Sequence, residues 1–196
     1  MARNKVYLAG PDGFLPHSAE LGRRKKQLCA EYGFHGLYPF DNEIPPNPVG
    51  WPIDRFIYLA NAAMIREADC GIANLTPFRG PSADVGTVLE LGMLVGLGKP
   101  VFGYTNDPDD MLTRLRRSSS VTFDPTSGAW RDADGMAIEH FGNADNLMIT
   151  AALIEHGQPI VQHRVRPEER FRDLTGFEQC LRLAARVMSC GQPVRG

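Results

Sequence analysis

Residues 74–100 read NLTPFRGPSADVGTVLELGMLVGLGKP. An apolar run from Cys70 to Leu75 leads into them and predicts a buried strand, followed by a loop rich in proline and glycine and then a helix. Asp84 stands where an N-cap belongs, because a short carboxylate there accepts the free backbone N–H groups of the first turn. Beyond it come Val85, Val88, Leu89, Leu91, Met93, Leu94, Val95 and Leu97. That helix is apolar on nearly every face, which predicts burial. Glu90 sits in its middle. An ionised carboxylate among apolar side chains is costly unless paired. Glu90 therefore either faces solvent or an arginine, or is a functional carboxylate at the bottom of a pocket with Asp84 at the rim.

Outward from this stretch, short apolar runs alternate with helical patterns. Lys5 to Ala9 (KVYLA) reads as a first strand closed by Gly10-Pro11. A helix follows from about Ser18 to Tyr32 with Leu21, Leu28 and Cys29 inward, then a second strand near Gly36 to Phe40. The segment DNEIPPNPVGWP is too proline-rich for regular structure and reads as a long, functional loop. Helices from about Ile53 to Ala68 and Asp145 to His156, and strands at Lys99 to Tyr104 and Pro159 to His163, extend the alternation. Thr175 to Met188 closes the chain with a capping box (Thr175, Glu178) and an apolar stripe at Phe177, Cys180, Leu181, Ala184, Val187 and Met188. Asp134-Gly135 suggests a hairpin in WRDADGMAIEHF. The segment from Asn106 to Arg131 receives no role. Strand and helix in alternation predict an α/β fold, a five-stranded parallel sheet with helices on both faces plus a small β-hairpin insertion.

Composition narrows the function. The chain has 196 residues, 43% hydrophobic and 22% charged, which suits one globular domain over its whole length. A net charge of −2 does not favour nucleic acid as a partner. The basic cluster Arg23 to Lys26 reads as a solvated helix face. No apolar run reaches the ~18 residues of a membrane span, and the N-terminus enters a strand directly, so a cytoplasmic protein without a signal peptide is expected. Cys29, Cys70, Cys180 and Cys190 form no CxxC pair. No metal site is expected, and the first three suit reduced core thiols.

In an open parallel sheet, ligands bind beyond the carboxyl ends of the strands. Those ends feed GPDGF, PFDNE and TPFRGPSAD, gathering Gly10, Asp12, Phe14, Asp41, Asn42, Phe78, Arg79, Ser82 and Asp84 where a flat polar ligand can stack and hydrogen-bond. GxGxxG, GxxxxGK[ST] and GxSxG are all absent, which counts against dinucleotide redox, P-loop phosphoryl transfer and serine hydrolysis. Carboxylate chemistry remains. A glutamate can attack an anomeric carbon if it is ionised, poorly solvated and held by a donor. Tyr7 is either that donor or an ordinary core tyrosine, and Asp84 either exchanges a proton with the leaving base or only caps its helix.

With these residues on view, the chain resembles the nucleoside 2-deoxyribosyltransferases, nearest the branch of purine-type and broad-specificity members. The likeness lies in KVYLAGPDGF, LYPFDNE, IREADCGIANLTPFRGPSADVGTVLELGMLVGLGKPVFGY and FGNADNLMI, and runs from Lys5 to about His163. It implies a flavodoxin-like (Rossmann-like) sheet and ping-pong transfer of 2-deoxyribose between nucleobases, with no cofactor. Glu90 matches the nucleophile, Tyr7 the tyrosine that orients it, and Asp84 an aspartate contacting the base. Asn146, in Asn146-Leu147-Met148, matches an asparagine that reaches into the neighbouring subunit's site and binds the sugar, with Met148 also on the substrate side, so a dimer-based homo-oligomer is implied. Asn61 stands where the family usually has aspartate, and an amide carries no acidic proton. Hydrolysis of nucleoside 5′-monophosphates and non-catalytic nucleotide sensing are the alternatives. The first needs a phosphate site, for which Arg79 and Ser82 are the candidates. The second has no use for a desolvated nucleophile.

Overall fold

A computed structural model describes residues 3–42 and 52–189. Strands β1 (Asn4–Ala9), β2 (Phe34–Leu37), β3 (Cys70–Asn74), β4 (Val101–Thr105) and β8 (Val161–Gln162) form a parallel sheet in the order β2-β1-β3-β4-β8. The expected five-stranded sheet is therefore present. Alternation along the strands sets its two faces. Val6, Leu8, Ile72, Phe102 and Tyr104 pack with Leu21 and Cys29 of α1 (Ser18–Glu31) and with Phe177, Cys180 and Leu181 of α6 (Thr175–Ser189). Tyr7, Ala9, Ala73 and Leu75 point the other way. They meet Ile65 of α2 (Ile53–Glu67), Leu91 and Leu94 of α3 (Val85–Gly96) and Leu153 of α5 (Leu147–His156). One step of register thus decides that Tyr7 lies on the Glu90 side of the sheet. Gly71 permits the close approach of α3, since a β-carbon there would lie 2.2 Å from Leu94 Cδ1. Strand order reverses between β1 and β3, which opens the crevice above their carboxyl ends.

Several expectations need correction. The second strand lies at Phe34–Leu37, not Gly36 to Phe40, because the chain tightens into a 3-10 turn over Pro39–Asp41. Of the proline-rich loop, residues 43–51 lie outside the described part. The proposed hairpin is a three-stranded antiparallel meander of β5 (Thr122–Asp124), β6 (Ala129–Arg131) and β7 (Ala137–Ile138). Its second turn spans 132–136, held by Asp132 Oδ1 accepting from the amides of Asp134 and Met136, with Gly135 at φ 79°. The unassigned 106–131 segment also holds α4 (Met111–Ser118), capped by Asp110. The Thr175/Glu178 capping box does not form. Asp173 Oδ1 accepts from the Thr175 amide, and Glu178 instead takes hydrogen bonds from Tyr32 and Arg182.

Two corrections concern burial. Helix α3 is not buried all round: Val85 is 85% and Leu89 57% exposed, on a face that also carries Gly92 and Gly96. The sheet covers only the opposite face, through Thr87, Leu91 and Leu94. The basic cluster is not wholly solvated either. Arg23 and Arg24 are exposed, but Lys25 is 1% exposed, ion-paired with the equally buried Asp12 and set 5.2 Å from the Phe177 ring centroid. Asp12 also accepts a 3.1 Å hydrogen bond from Asn74 Nδ2, tying the loop after β1 to the end of β3. Cys29, Cys70 and Cys180 are buried free thiols, as the apolar patterns require. Among the described residues, no helix is long and apolar enough to cross a membrane.

Candidate active site

The site is assembled from one strand and two helices. Tyr7 ends its strand-borne alternation on the α2/α3 face and is fully buried. Its hydroxyl donates a 2.6 Å hydrogen bond to Glu90 Oε1. Asn61, from the middle of α2, donates a long 3.5 Å hydrogen bond from Nδ2 to the same oxygen. The Asn61 carbonyl in turn accepts from Asn42 Nδ2 at 3.0 Å, so the loop after β2 helps to orient it. Lys99 fixes the far end of α2 by donating to the carbonyls of Ile65 (2.8 Å), Arg66 (2.6 Å) and Ala68.

Among the described residues, no arginine pairs with Glu90. Loss of water pushes its carboxyl up from 4.5 to about 7, and the Asp84 charge adds to the rise; the hydrogen bonds from Tyr7 and Asn61 oppose it. Tyr7 is held protonated far above the ordinary phenol range, by burial first and by the Glu90 charge second. The pair is a donor that keeps its proton and a carboxylate near its ionisation point at neutral pH. Asp84 caps α3 as the sequence suggests, its Oδ2 accepting from Thr87 N at 2.9 Å and Thr87 Oγ1 at 3.0 Å.

The loops beyond the strands bring a second group together. Phe14 and Phe78 stack with centroids 5.5 Å apart, and the Arg79 guanidinium lies 4.8 Å from both rings. Arg79 is the one described non-glycine residue with positive φ, 56°. Phe171 meets Phe78 edge-on at 6.0 Å, a contributor from the distant C-terminal segment that no local pattern marks. Gly13 is needed beneath this loop, since a β-carbon there would overlap the Phe40 ring at 1.6 Å. Gly10 sits beside Asn74 and Asp12, where a β-carbon would come within 3.0 Å of Asn74 Cβ.

Other candidates are engaged elsewhere within the chain. Asp41 pairs with Lys26 at 2.7 Å on the α1 side. Ser82 Oγ donates to Asp145 Oδ1 at 2.5 Å, and Asp145 Oδ2 accepts from the Ala83 amide at 2.9 Å. Asp145, which the sequence reading passed over, therefore pins the loop that leads to Asp84. Asn146 caps α5 by accepting from Met148 N at 3.0 Å and donates to Glu139 Oε1 at 2.7 Å, while Met148 stays 70% exposed. No contact joins Asn146 or Met148 to Glu90 of the same chain among the described interactions.

A family description for nucleoside 2-deoxyribosyltransferases matches residues 6–148, which include Tyr7, Asn61, Asp84, Glu90 and Asn146. The chain belongs to that family. A curated relative in Schizosaccharomyces pombe (strain 972), the uncharacterized protein C191.05c, is 31% identical over 155 residues, covering 73% of this chain and 74% of the relative. Among solved structures, a 2-desoxiribosyltransferase from Leishmania mexicana is 30% identical with a TM-score of 0.60, over 86% of this chain and 94% of its own. A conserved protein from Enterococcus faecalis V583, 18% identical with a TM-score of 0.52 over 92% of this chain and 98% of that one, shares the fold. The fold and family are thus those of nucleoside deoxyribosyltransferases. Within that family, the two bonds to Glu90 Oε1 and its desolvation are features of this chain's own geometry.

Proposed function

We propose that this chain moves 2-deoxyribose from a 2′-deoxynucleoside to a free nucleobase through a deoxyribosyl ester on Glu90. The observation that carries the reading is the part-buried Tyr7–Glu90 hydrogen bond of 2.6 Å on the α2/α3 face of the sheet. A Glu90 carboxylate oxygen attacks the anomeric carbon, the C1′–N bond breaks, and its electron pair leaves with the base. The departing base takes up a proton that Asp84 Oδ1 relays from solvent, and the incoming base later gives one up by the same route, while Asp84 Oδ2 stays engaged in capping. An incoming base then attacks the same carbon and releases the Glu90 carboxylate. Asn61 hydrogen-bonds the base edge without supplying a proton. Phe14, Phe78 and Arg79 form a platform on which a flat base stacks.

Assembly belongs to the same proposal. A homo-oligomer in which Asn146 and Met148 of one copy complete the sugar site of another is supported by the exposed apolar residues Val85 and Leu89, beside Glu90, and by Leu147 and Met148 on α5. The substrates are small nucleosides and bases.

Deoxyadenosine supplied with free cytosine tests the reaction class. Transfer yields deoxycytidine and adenine in equal amounts, whereas adenine with free deoxyribose and no new nucleoside would replace this reading with hydrolysis. A pH profile tests the nucleophile. Glu90 must be ionised to attack, so kcat/KM for exchange rises with pH through an apparent value near 7. Tyr7→Phe removes a bond that lowers that value, so the rising limb moves to higher pH and exchange at neutral pH falls about 10- to 100-fold. A limb unchanged by the substitution would separate Tyr7 from the nucleophile.

A further inference from the structure

On the far side of the loop that presents Phe78 and Arg79 lies a cavity of about 250 Å³, lined by Pro77, Gly80, Pro81, Asp107, Ser118 and three arginines, Arg114, Arg117 and Arg170. It holds several times the ~30 Å³ that one water occupies in the liquid. Its lining side chains carry three positive charges and one negative. Asp107, 5% exposed, accepts from Arg117 at 3.1 Å and from Arg170 at 2.6 Å. Arg117 reaches a second carboxylate as well, Asp109 at 3.0 Å, while its side chain stays half exposed.

Arg114 is the telling member. It is 4% exposed, and its guanidinium donates to the carbonyls of Asp109 (2.9 Å) and Ala144 and lies 3.8 Å from Asp145. Among the described residues its Nε has no hydrogen-bond partner, and it is closed off from solvent. An unmet donor on a buried cation is costly, and a native interior leaves few of them. The two partly open guanidinia, Arg117 and Arg170, suit an anion that accepts from both at once, with the buried charge of Arg114 behind them. A tetrahedral phosphoryl group presents oxygens in more directions than a planar carboxylate does.

We propose that this cavity binds a phosphoryl group, as inorganic phosphate or as the phosphate of a nucleotide, with Arg117 and Arg170 as its ligands, Arg114 adding its charge from behind, and Asp107 holding the anion's place when it is empty. The site does not touch the Tyr7–Glu90 pair. It does border the loop after β3 through Pro77, Gly80 and Pro81.

Titration calorimetry in a phosphate-free buffer tests this with inorganic phosphate, 2′-deoxyadenosine 5′-monophosphate and deoxyadenosine as probes. Wild-type protein is expected to bind inorganic phosphate saturably, one per chain. The double variant Arg117→Gln/Arg170→Gln should bind at least tenfold more weakly. Asp107→Asn keeps the shape and removes the competing charge, so it should bind phosphate severalfold more tightly, an effect that a merely structural ion cluster would not give. Competition by the nucleotide but not by deoxyadenosine assigns the subsite to phosphomonoesters; phosphate binding without such competition assigns it to the free ion. Absence of saturable binding to both wild type and Asp107→Asn, or equal affinity in wild type and the double variant, overturns the proposal.

Discussion

Glu90→Gln is expected to reduce base exchange by roughly four orders of magnitude or more, the usual scale for loss of a covalent nucleophile. The substitution is nearly isosteric. A glutamine carbonyl still accepts from Tyr7, so the fold and the shape of the crevice persist, and nucleoside binding should change little. Stability is expected to move the other way. The Glu90 carboxyl is raised from 4.5 to about 7 by the fold, so between those values the folded chain holds a proton that the unfolded chain has released. Stability therefore falls as pH rises through that window, and above it the ionised Glu90 is a burden the folded state carries. At pH 8, glutamine removes the burden. Discounted for the partial solvent exposure of Glu90, the increase is on the order of 2 kcal/mol, or roughly 4–8 °C in melting temperature. Circular-dichroism melts of both proteins at pH 8, alongside exchange assays, measure the two effects together. An inactive variant that is also less stable than wild type would mean that Glu90 is structural.

The second large effect concerns the ion pair beneath the opposite face of the sheet. Lys25→Met leaves the Asp12 carboxyl buried with the 3.1 Å hydrogen bond from Asn74 but without its cation. Loss of one partner from a buried pair costs about 3–5 kcal/mol. The double variant Asp12→Asn/Lys25→Met removes both charges and keeps an amide able to accept from Asn74, and is expected to recover most of the loss. Urea unfolding of the three proteins gives the comparison. Equal destabilisation in the single and double variants would show that packing against Tyr104 and Phe177, rather than charge pairing, fixes Lys25.

These two sites differ in how far the sequence exposes them. Glu90 stands out because a carboxylate interrupts an otherwise apolar helix, and Tyr7 follows from strand parity, since an odd position in β1 shares its face with Ala9. Local pattern singles out both positions, while the roles expected of them come from the family resemblance. Lys25 is invisible in the same way that Asp12 is: a buried charge looks like a solvated one until a partner from another element is found. The outer face of α3 failed for a related reason. Val85 and Leu89 read as core residues because hydropathy records what a side chain avoids, not which neighbour covers it. The meander was read as a hairpin because strands of two or three residues are too short to show a period. Asp145 and Phe171 reach the loop after β3 from distant segments, and only the folded chain puts them there.

The most direct measurement of the central claim is mass spectrometry of the protein quenched after brief incubation with a 2′-deoxynucleoside and no acceptor base. A Glu90 nucleophile predicts a mass gain of one 2-deoxyribosyl group, confined to the peptide containing Glu90, lost when an acceptor base is added and absent from Glu90→Gln. Exchange at wild-type rates by the Glu90→Gln protein, or a deoxyribosyl adduct on a residue other than Glu90, would contradict it.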